Sequence, residues 1–401
     1  RARADEETTR GQNVQESADE APSGILGWLS ERGLDVSFGL TQIFQQNVRG
    51  GVTSNRKAAR YSGSYDLELN LDMEKIAGIA GGRIYLLTEG SWSEGIDPIA
   101  VGSLFGVNAD AGGNRSADVT QLFYEQAFPG AGITVRLGKL DLTGGFECRG
   151  CPVSFDGNSF ANDQTAQFLN GALVNNPTIP FPDCGLGVVV HFEPVEWLYF
   201  SVGTADAEAD ARETGFRTAF HGKGDFFTIC ELGVTPRIPS PNGALQGAYR
   251  VGMWYDPRDK DRLDGLGSES DNTGFYASFD QKILRESAEE DDNQGLGAFA
   301  RLGFADEDVN EIKFFWSAGV QYEGLIPGRD TDALGVGFAQ GRLSDKGDFT
   351  ARHESALEVY YNARLTDWLE VTPSLQLVFN PGGNEAAKRA VVVGCRVQTN
   401  F

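Results

Sequence analysis

Apolar and polar residues alternate most clearly at the C-terminal end of the chain, over residues 389–401. Successive side chains of a β-strand point to opposite faces. One face here is mostly apolar (Val391, Val393, Cys395, Val397, Thr399 and Phe401), and the other is mostly polar (Val392, Gly394, Arg396, Gln398 and Asn400). In a soluble protein the apolar face would meet a core. In a membrane barrel it would meet lipid, with the polar face lining a wet interior.

The same period of two recurs along the chain. Tyr65, Leu67, Leu69 and Leu71 interleave with Asp66, Glu68, Asn70 and Asp72, which is a strong strand signal. Further strands are predicted at 34–41, 83–92, 118–128, 132–141, 185–193, 197–205, 226–236, 244–256, 273–283, 294–304, 312–322, 332–343, 353–365 and 369–380. With the closing strand, this gives about 16 strands of the length that crosses a membrane.

The connections between these strands sort by length. With the N-terminus on the periplasmic side, short connections at 129–131, 194–196 and 366–368 share one rim. Long connections at 46–60, 93–116, 142–184, 206–225 and 256–272 share the other. Short turns on one rim and long loops on the other are typical of outer-membrane barrels. We therefore predict an all-β fold, a transmembrane antiparallel β-barrel of about 16 strands.

Two segments precede the first predicted strand. Residues 1–23 are polar, without a periodic apolar face, and are interpreted as a mobile or loosely bound extension. Residues 24–32 predict a short amphipathic helix that ends at Gly33. The domain organisation expected is thus a polar extension followed by a single barrel domain over residues 24–401.

Composition excludes several classes of function. The formal net charge of −23 argues against a nucleic-acid partner, because phosphate binding requires a basic face. It also argues against peripheral attachment to anionic lipid. No run of apolar residues reaches the roughly 18 needed for a transmembrane helix. No catalytic triad, phosphate loop or metal spacing stands out, so we predict neither an enzyme nor a cofactor.

Three of the five cysteines lie in or beside the longest connection. Cys148 and Cys151 form a Cys-x-x-Cys pair, and Cys184 follows at the end of the connection. The pair lacks a following His and a second such pair, which disfavours haem attachment and zinc. A disulfide from Cys184 to either Cys148 or Cys151 is the simpler interpretation for an exported protein.

Several segments together resemble the carbohydrate-selective porins of the OprB type. They are Gly27–Ser37, Tyr65–Ala80, Gln121–Gln126, Val135–Lys139, Glu354–Leu365, Trp368–Gln376 and Asn380–Gly383, in the same order along nearly the whole chain. The acidic charge and the cysteine-rich connection depart from that pattern. The resemblance implies an outer-membrane porin for passive, sugar-preferring diffusion of small hydrophilic solutes, without catalysis or cofactor.

Similarity to porins and outer-membrane barrels also suggests roles for two regions. By analogy with general porins, residues 142–184 are expected to fold into the barrel as a pore-constricting loop. Phe155 and Phe160 are the best candidates on this loop for aromatic contact with a sugar. A terminal aromatic residue resembles the signal that the barrel-assembly machinery reads, although Thr399 stands where that family usually has a bulky residue. Phe401 is therefore the candidate assembly signal.

Strand parity nominates the residues that line the interior. Sugars need polar side chains for hydrogen bonds and aromatic rings for stacking. The candidates are Asp66, Glu68, Arg83, Glu125, Arg136, Glu231, Arg250, Arg301, Glu358, Arg364 and Arg396. An Arg on the lipid face would cost roughly 2–4 kcal/mol at the midplane. Arg83, Glu125 and Arg136 are expected near the constriction, and the alternative for any one candidate is a structural ion pair.

Aromatic residues and partners complete the expectations. Trp92, Trp197, Trp254, Trp316 and Trp368 are predicted to form interface girdles on the outside of the barrel.

The partners expected are outer-membrane lipid, small sugars and the assembly machinery, with the barrel a monomer or a homotrimer. The competing hypothesis is a structural or surface-lattice barrel plugged by residues 1–23 and the long loop. Loop sorting disfavours a third, an exported soluble lectin or glycosidase.

Overall fold

The computed structural model describes residues 24–53, 58–143, 155–213, 224–289 and 292–401. Its helices are short: α1 (Ile25–Ser30), α2 (Met73–Ala77), α3 (Gly171–Val174), a π-helix (Asp97–Val101) and 3-10 turns (Pro129–Ala131 and Pro381–Gly383). Of the helices in these ranges, none is long and apolar enough to span a membrane. Strands make up most of the remaining secondary structure.

The strands, in chain order, are β1 (Leu34–Arg49), β2 (Ala59–Asp72), β3 (Gly82–Trp92), β4 (Arg115–Phe128), β5 (Ile133–Leu140), β6 (Gly185–Val195), β7 (Leu198–Asp206), β8 (Phe226–Val234), β9 (Arg237–Ser240), β10 (Gly243–Asp256), β11 (Lys260–Asp261), β12 (Ser268–Glu269), β13 (Asn272–Lys282), β14 (Gly295–Ala305), β15 (Ile312–Glu323), β16 (Ala333–Leu343), β17 (His353–Thr366), β18 (Leu369–Phe379) and β19 (Ala390–Asn400).

Sixteen of these strands form one closed antiparallel barrel. Strand β1 closes it, because Leu40 lies opposite Tyr65 of β2 and opposite Thr399 of β19. The short β9 pairs only with the start of β10, and β11 and β12 form a separate hairpin. The structure confirms the predicted closed barrel of about 16 strands and the short N-terminal helix.

Each strand separates an outer apolar face from an inner face. In β19, Arg396 and Gln398 are buried inside. Val393 of the same strand has the opposite parity and is exposed on the outside. Large exposed hydrophobic side chains such as Phe44 and Phe275 continue this outer belt on other strands. A barrel whose outside is apolar and whose inside is polar is built for a membrane.

The start of β1 and the end of β19 lie on one rim, called the terminal rim here; the opposite rim is the loop rim. Helix α2 makes one turn on the terminal rim. The Asp72 carboxylate caps it by accepting from the backbone N–H groups of Glu74 and Lys75 at 2.9 and 3.2 Å. Gly78 ends it in the left-handed region at φ 71°. The chain therefore reverses tightly into β3.

The sorting of connections by length is clear in the first half of the barrel and weaker in the second. Residues 283–294 and 324–332, on the terminal rim, are longer connections than residues 306–311 on the loop rim. In the connection 283–294, the backbone N–H and carbonyl of Leu284, beyond the end of β13, exchange hydrogen bonds with Leu296 of β14. This connection therefore extends the β13–β14 hairpin past the barrel wall.

The tryptophans divide between the two faces. Trp197 and Trp368 are exposed on the terminal rim, and the Phe401 ring stacks on Trp368 at 6.1 Å. The prediction for Trp254 was wrong, because this side chain is 1% exposed and packs inside the barrel beside Phe227 at 6.3 Å. It lies four residues from the inward-facing Arg250 on the same strand, and the period of two places both on the same face.

Candidate solute pathway

Residues 155–184 fold into the barrel. Their backbone contacts side chains of strands from β8 round to β19, including Glu231, Arg301, Glu358 and Arg396. Only the inner surface of a closed barrel can be reached on all of these strands by one segment. This segment, the inner loop, therefore covers one side of the interior.

Glu231 and Arg301 hold the first part of the inner loop. Glu231 accepts from the Asp156 backbone N–H at 3.0 Å and from the hydroxyls of Tyr199 and Tyr276 at 2.6 and 2.8 Å. Arg301, fully buried, donates to the Leu173 carbonyl at 2.6 Å and lies 3.2 Å from the Asp156 carboxylate. Buried charges with this many partners fix a segment in one place.

A second pair holds the middle of the inner loop. Glu358 accepts from the backbone N–H groups of Leu169 and Asn170 at 3.0 and 2.8 Å. The Arg396 guanidinium donates to the carbonyls of Gln164 and Gln167 at 2.6 and 3.1 Å. Both charged side chains are fully buried, so one anion and one cation of the wall bracket residues 164–170.

Aromatic rings of the inner loop pack on glycines of the wall. A Cβ atom added at Gly297 would lie 2.2 Å from the Phe160 ring, and one at Gly203 would lie 2.6 Å from the Phe155 ring. Phe168 meets Tyr360 edge-on at 4.9 Å. Both predicted rings, Phe155 and Phe160, thus face the wall. This packing accounts for part of the glycine content.

Residues 93–114, connecting β3 to β4, also enter the barrel. The Val107 carbonyl accepts from the side-chain amides of Gln45 and Gln376 at 2.8 and 2.9 Å. The Ala109 N–H donates to the Leu169 carbonyl of the inner loop at 2.8 Å. This segment, the second loop, therefore connects the inner loop to the part of the wall formed by β1 and β18.

Where the two loops meet the β2–β3 wall they enclose a small space lined mainly by polar side chains, the eyelet. Its cavity of about 170 Å³ is lined by Ser64, Asp66, Glu89, Gly90, Ser91, Ala109, Asp110, Gly112, Arg115, Gln164 and Thr165. Strand register sets the wall side, because Asp66 lies directly opposite Glu89 and Ser64 opposite Ser91. Like charges directly opposite each other destabilise a strand pair, so this placement indicates a function.

Asp110 of the second loop completes the acidic side of the eyelet. One carboxylate oxygen, Oδ1, accepts from the Ser64 hydroxyl at 2.7 Å. The other, Oδ2, is buried without a hydrogen-bond partner among the described residues. Burial raises the pKa of Asp110 to about 7, with the neighbouring Glu89 charge adding to the rise, while the Ser64 hydrogen bond and the Arg396 charge oppose it.

The eyelet contains one of the predicted lining residues, Asp66, and Glu68 follows it along the same face of β2. Arg83, Glu125 and Arg136 lie together but elsewhere. Glu125 pairs with Arg83 at 3.0 Å and with Arg136 at 2.5 Å across three neighbouring strands. Arg83 is six residues from Glu89 on β3, which is about 20 Å nearer the terminal rim.

The remaining predicted residues support the wall. Arg250 pairs with Asp280 at 2.8 Å and donates to the Tyr199 hydroxyl at 3.0 Å. Arg364 lies near the terminal rim, where its backbone N–H donates to the Asp332 carboxylate at 3.0 Å. The role of Phe401 as an assembly signal stays a prediction.

The predicted disulfide also stays a prediction. Cys148 and Cys151 lie outside the described residues. Cys184 directly precedes β6, and the described cysteines, Cys184, Cys230 and Cys395, form no disulfide with one another. The predicted extension, residues 1–23, is likewise outside the described ranges.

Sequence reasoning missed most of the eyelet, namely Ser64, Glu89, Ser91, Asp110, Arg115, Gln164 and Thr165. Glu89 could have been found, because it shares strand parity with Arg83. Asp110, Gln164 and Thr165 lie on connections, where no period indicates which way a side chain points.

These features define a class of protein. A closed barrel with an apolar outside, a polar inside and loops folded inward to narrow it is a β-barrel channel of the bacterial outer membrane.

The family follows from the sequence. The model of the carbohydrate-selective porin, OprB family, matches residues 56–401, and the chain belongs to that family. Porin B of Pseudomonas aeruginosa is 25% identical over 416 aligned residues, covering 93% of this chain and 88% of the relative. Porin AaxA of Chlamydia pneumoniae is 23% identical over 293 residues, covering 72% of this chain and 60% of the relative.

The fold has a similar solved structure. Pseudomonas putida OprB at high pH superposes with a TM-score of 0.77 at 23% identity, covering 93% of this chain and 96% of that one. The relatives named here are porins. The predicted family, outer-membrane location and porin function are therefore confirmed.

Proposed function

We propose that small hydrophilic solutes, with sugars preferred, cross this barrel by passive diffusion between its two inward-folded loops and the β1–β4 wall. The observation that carries the proposal is the eyelet, where hydroxyl, amide, carboxylate and guanidinium groups converge on one cavity. Passage by this route involves no catalysed reaction. Solutes move down their own gradient through a fixed opening.

The eyelet suits the chemistry of a sugar. Sugar hydroxyls both donate and accept hydrogen bonds, and the hydroxyls of Ser64, Ser91 and Thr165 do the same. The carboxylates of Asp66 and Glu89 accept only, so they hold a sugar hydroxyl in one orientation. Several weak sites of this kind let a solute enter and leave.

The wall between the eyelet and the terminal rim continues the path. Tyr85 stands between Glu89 and Arg83 on the inner face of β3, and its ring lies 5.1 Å from that of Phe123. The half-buried Tyr85 ring gives an apolar face for the C–H side of a sugar. We propose that the ion pair of Arg83 and Glu125 lines the exit beyond Tyr85.

Assembly and stoichiometry belong to the same proposal. The strands of one chain close the barrel around the eyelet, so we expect each copy to conduct on its own, whether as a monomer or within a homotrimer. Phe401 exchanges two backbone hydrogen bonds with Phe38, at 2.9 and 3.0 Å, and its ring lies on the outside. This exposed terminal ring is what we propose the assembly machinery reads.

Swelling of proteoliposomes in neutral sugars tests the pathway. We expect fast swelling in glucose and slower swelling in larger oligosaccharides. Thr165→Trp should slow glucose entry by filling the eyelet. Thr88→Trp is the matched control, because Thr88 adjoins Glu89 on β3 but points to the outer face. No swelling in glucose, or equal slowing by both variants, would refute the proposal.

A further inference from the structure

The eyelet is unbalanced in charge. Asp66, Glu89 and Asp110 contribute three carboxylates, and Arg115 is the one cationic side chain among the residues that line the cavity. Register forces Asp66 and Glu89 to face each other, although like charges so placed repel. A neutral sugar needs hydrogen-bond partners but gives nothing that offsets this repulsion.

The unpaired oxygen of Asp110 points to what is missing. Asp110 is 7% exposed, and its Oδ2 atom has no hydrogen-bond partner among the described residues. A buried acceptor left without a donor is costly, and more so when it carries charge. The second loop holds the residue there, since Oδ1 is fixed by Ser64 and the adjoining Ala109 is tied to the inner loop.

We propose that the eyelet is a binding site for amino sugars in their protonated form, small polyols that carry one ammonium group among their hydroxyls. This inference rests on the solute pathway proposed above and names the preferred solute class of that path. The ammonium would sit among Asp66, Glu89 and Asp110. The ring hydroxyls would meet Ser91, Gln164 and Thr165 on the remaining sides.

The chemistry of the two partners is complementary. An alkylammonium carries three donors and no acceptor, and ionised carboxylates are acceptors only. Charge-assisted hydrogen bonds are roughly twice as strong as neutral ones, and the attraction grows where water is excluded. The same balance disfavours anionic sugars. No group of three or more His, Cys, Asp or Glu side chains in the described residues is placed to hold a metal ion.

The test compares three sugars of one shape on a single channel. Wild-type protein in a planar bilayer, in 0.1 M KCl at pH 7, is titrated with D-glucosamine, D-glucose and N-acetyl-D-glucosamine, the last keeping the nitrogen but not its charge. We expect glucosamine to reduce the current at a concentration roughly tenfold below that of glucose, the equivalent of about 1.4 kcal/mol. N-acetylglucosamine should resemble glucose.

Variants locate the effect. Glu89→Gln combined with Asp110→Asn should abolish the glucosamine advantage, so that glucosamine and glucose block this variant at similar concentrations. Asp35→Asn is the matched control, which removes one acidic charge from the same wall. Asp35 lies opposite Asn70, four residues from Asp66 on β2, so it is about 13 Å away, beyond the Debye length of about 10 Å.

The outcomes separate the two proposals. Equal block by glucosamine and glucose in the wild type overturns this inference and leaves the sugar pathway standing, whereas no block by any sugar overturns the pathway itself. An advantage that survives in the double variant, or is lost equally in Asp35→Asn, also overturns the inference. Should the double variant fail to insert, the wild-type advantage must shrink in 1 M KCl, because salt screens charge; an unchanged advantage there contradicts it.

Discussion

Replacement of Arg396 by Met should loosen the inner loop while leaving the barrel intact. The Arg396 guanidinium holds the carbonyls of Gln164 and Gln167 at 2.6 and 3.1 Å from inside the wall. Gln164 also lines the eyelet, so one side chain of the last strand sets the position of the opening. Met keeps an unbranched apolar stem of similar reach but donates no hydrogen bond.

The magnitude follows from the two hydrogen bonds. A hydrogen bond to a charged group contributes about 1.5–3 kcal/mol, so the pair contributes about 3–6 kcal/mol. The free-energy cost of burying the guanidinium charge is absent in the Met variant, so we expect the lower end of this range. A change of about 3 kcal/mol raises the detached population of residues 164–170 roughly a hundredfold.

Single-channel recording shows the consequence. We expect Arg396→Met to add open-channel noise and larger conductance levels, and to weaken block by glucose. Arg396→Lys should give an intermediate result, because it keeps the charge but not the two-pronged geometry. The heat-modifiable mobility of the folded barrel on a gel is the control for assembly. Arg396→Met channels that are as quiet and as narrow as the wild type would refute the reasoning.

Three further predictions concern other parts of the molecule. Glu125→Gln should lower the free energy of unfolding by about 3 kcal/mol in denaturant titrations, because Arg83 and Arg136 lose their shared carboxylate. Glu74→Gln on the exposed helix α2 is the control and should leave the free energy of unfolding unchanged. Asp110 has a pKa raised to about 7 by burial, so it is neutral below pH 7 and charged above. The permeability of K⁺ relative to Cl⁻, from reversal potentials, should therefore rise between pH 6 and 8, and Asp110→Asn should flatten that rise. Deletion of Phe401 removes the ring stacked on Trp368 and should cut the yield of folded barrel in outer membranes, measured by heat-modifiable mobility, whereas Phe401→Tyr should restore it; a normal yield after deletion would contradict the assembly role.

Strand positions and faces were predictable because each strand carries its own evidence. A period of two assigns both faces at once, as in β2, where Asp66 and Glu68 point inward. Trp254 shows how the prediction fails. Its residue type suggested the outer girdle, while its spacing from Arg250 required the inner face. Geometry along the strand decides the face, and residue type does not.

The positions of the two loops inside the barrel could not be read from the sequence. Glu358 and Arg396 were predicted to face inward, but their partners lie 189 and 232 residues away along the chain. Loop residues have no periodicity that would indicate such partners. Asp110 reaches the eyelet only because the second loop is held by wall strands from both ends of the chain, through Gln45 and Gln376.

We propose that one opening, bounded by the two loops and the β2–β3 wall, carries sugar through this barrel. Single-channel conductance in a planar bilayer, titrated with glucose, tests it most directly when wild type and Thr165→Trp are compared. We expect a steady conductance that falls saturably with glucose in the wild type, and a smaller conductance with altered glucose block in the variant. A conductance indifferent to glucose, or a variant identical to the wild type, would contradict it.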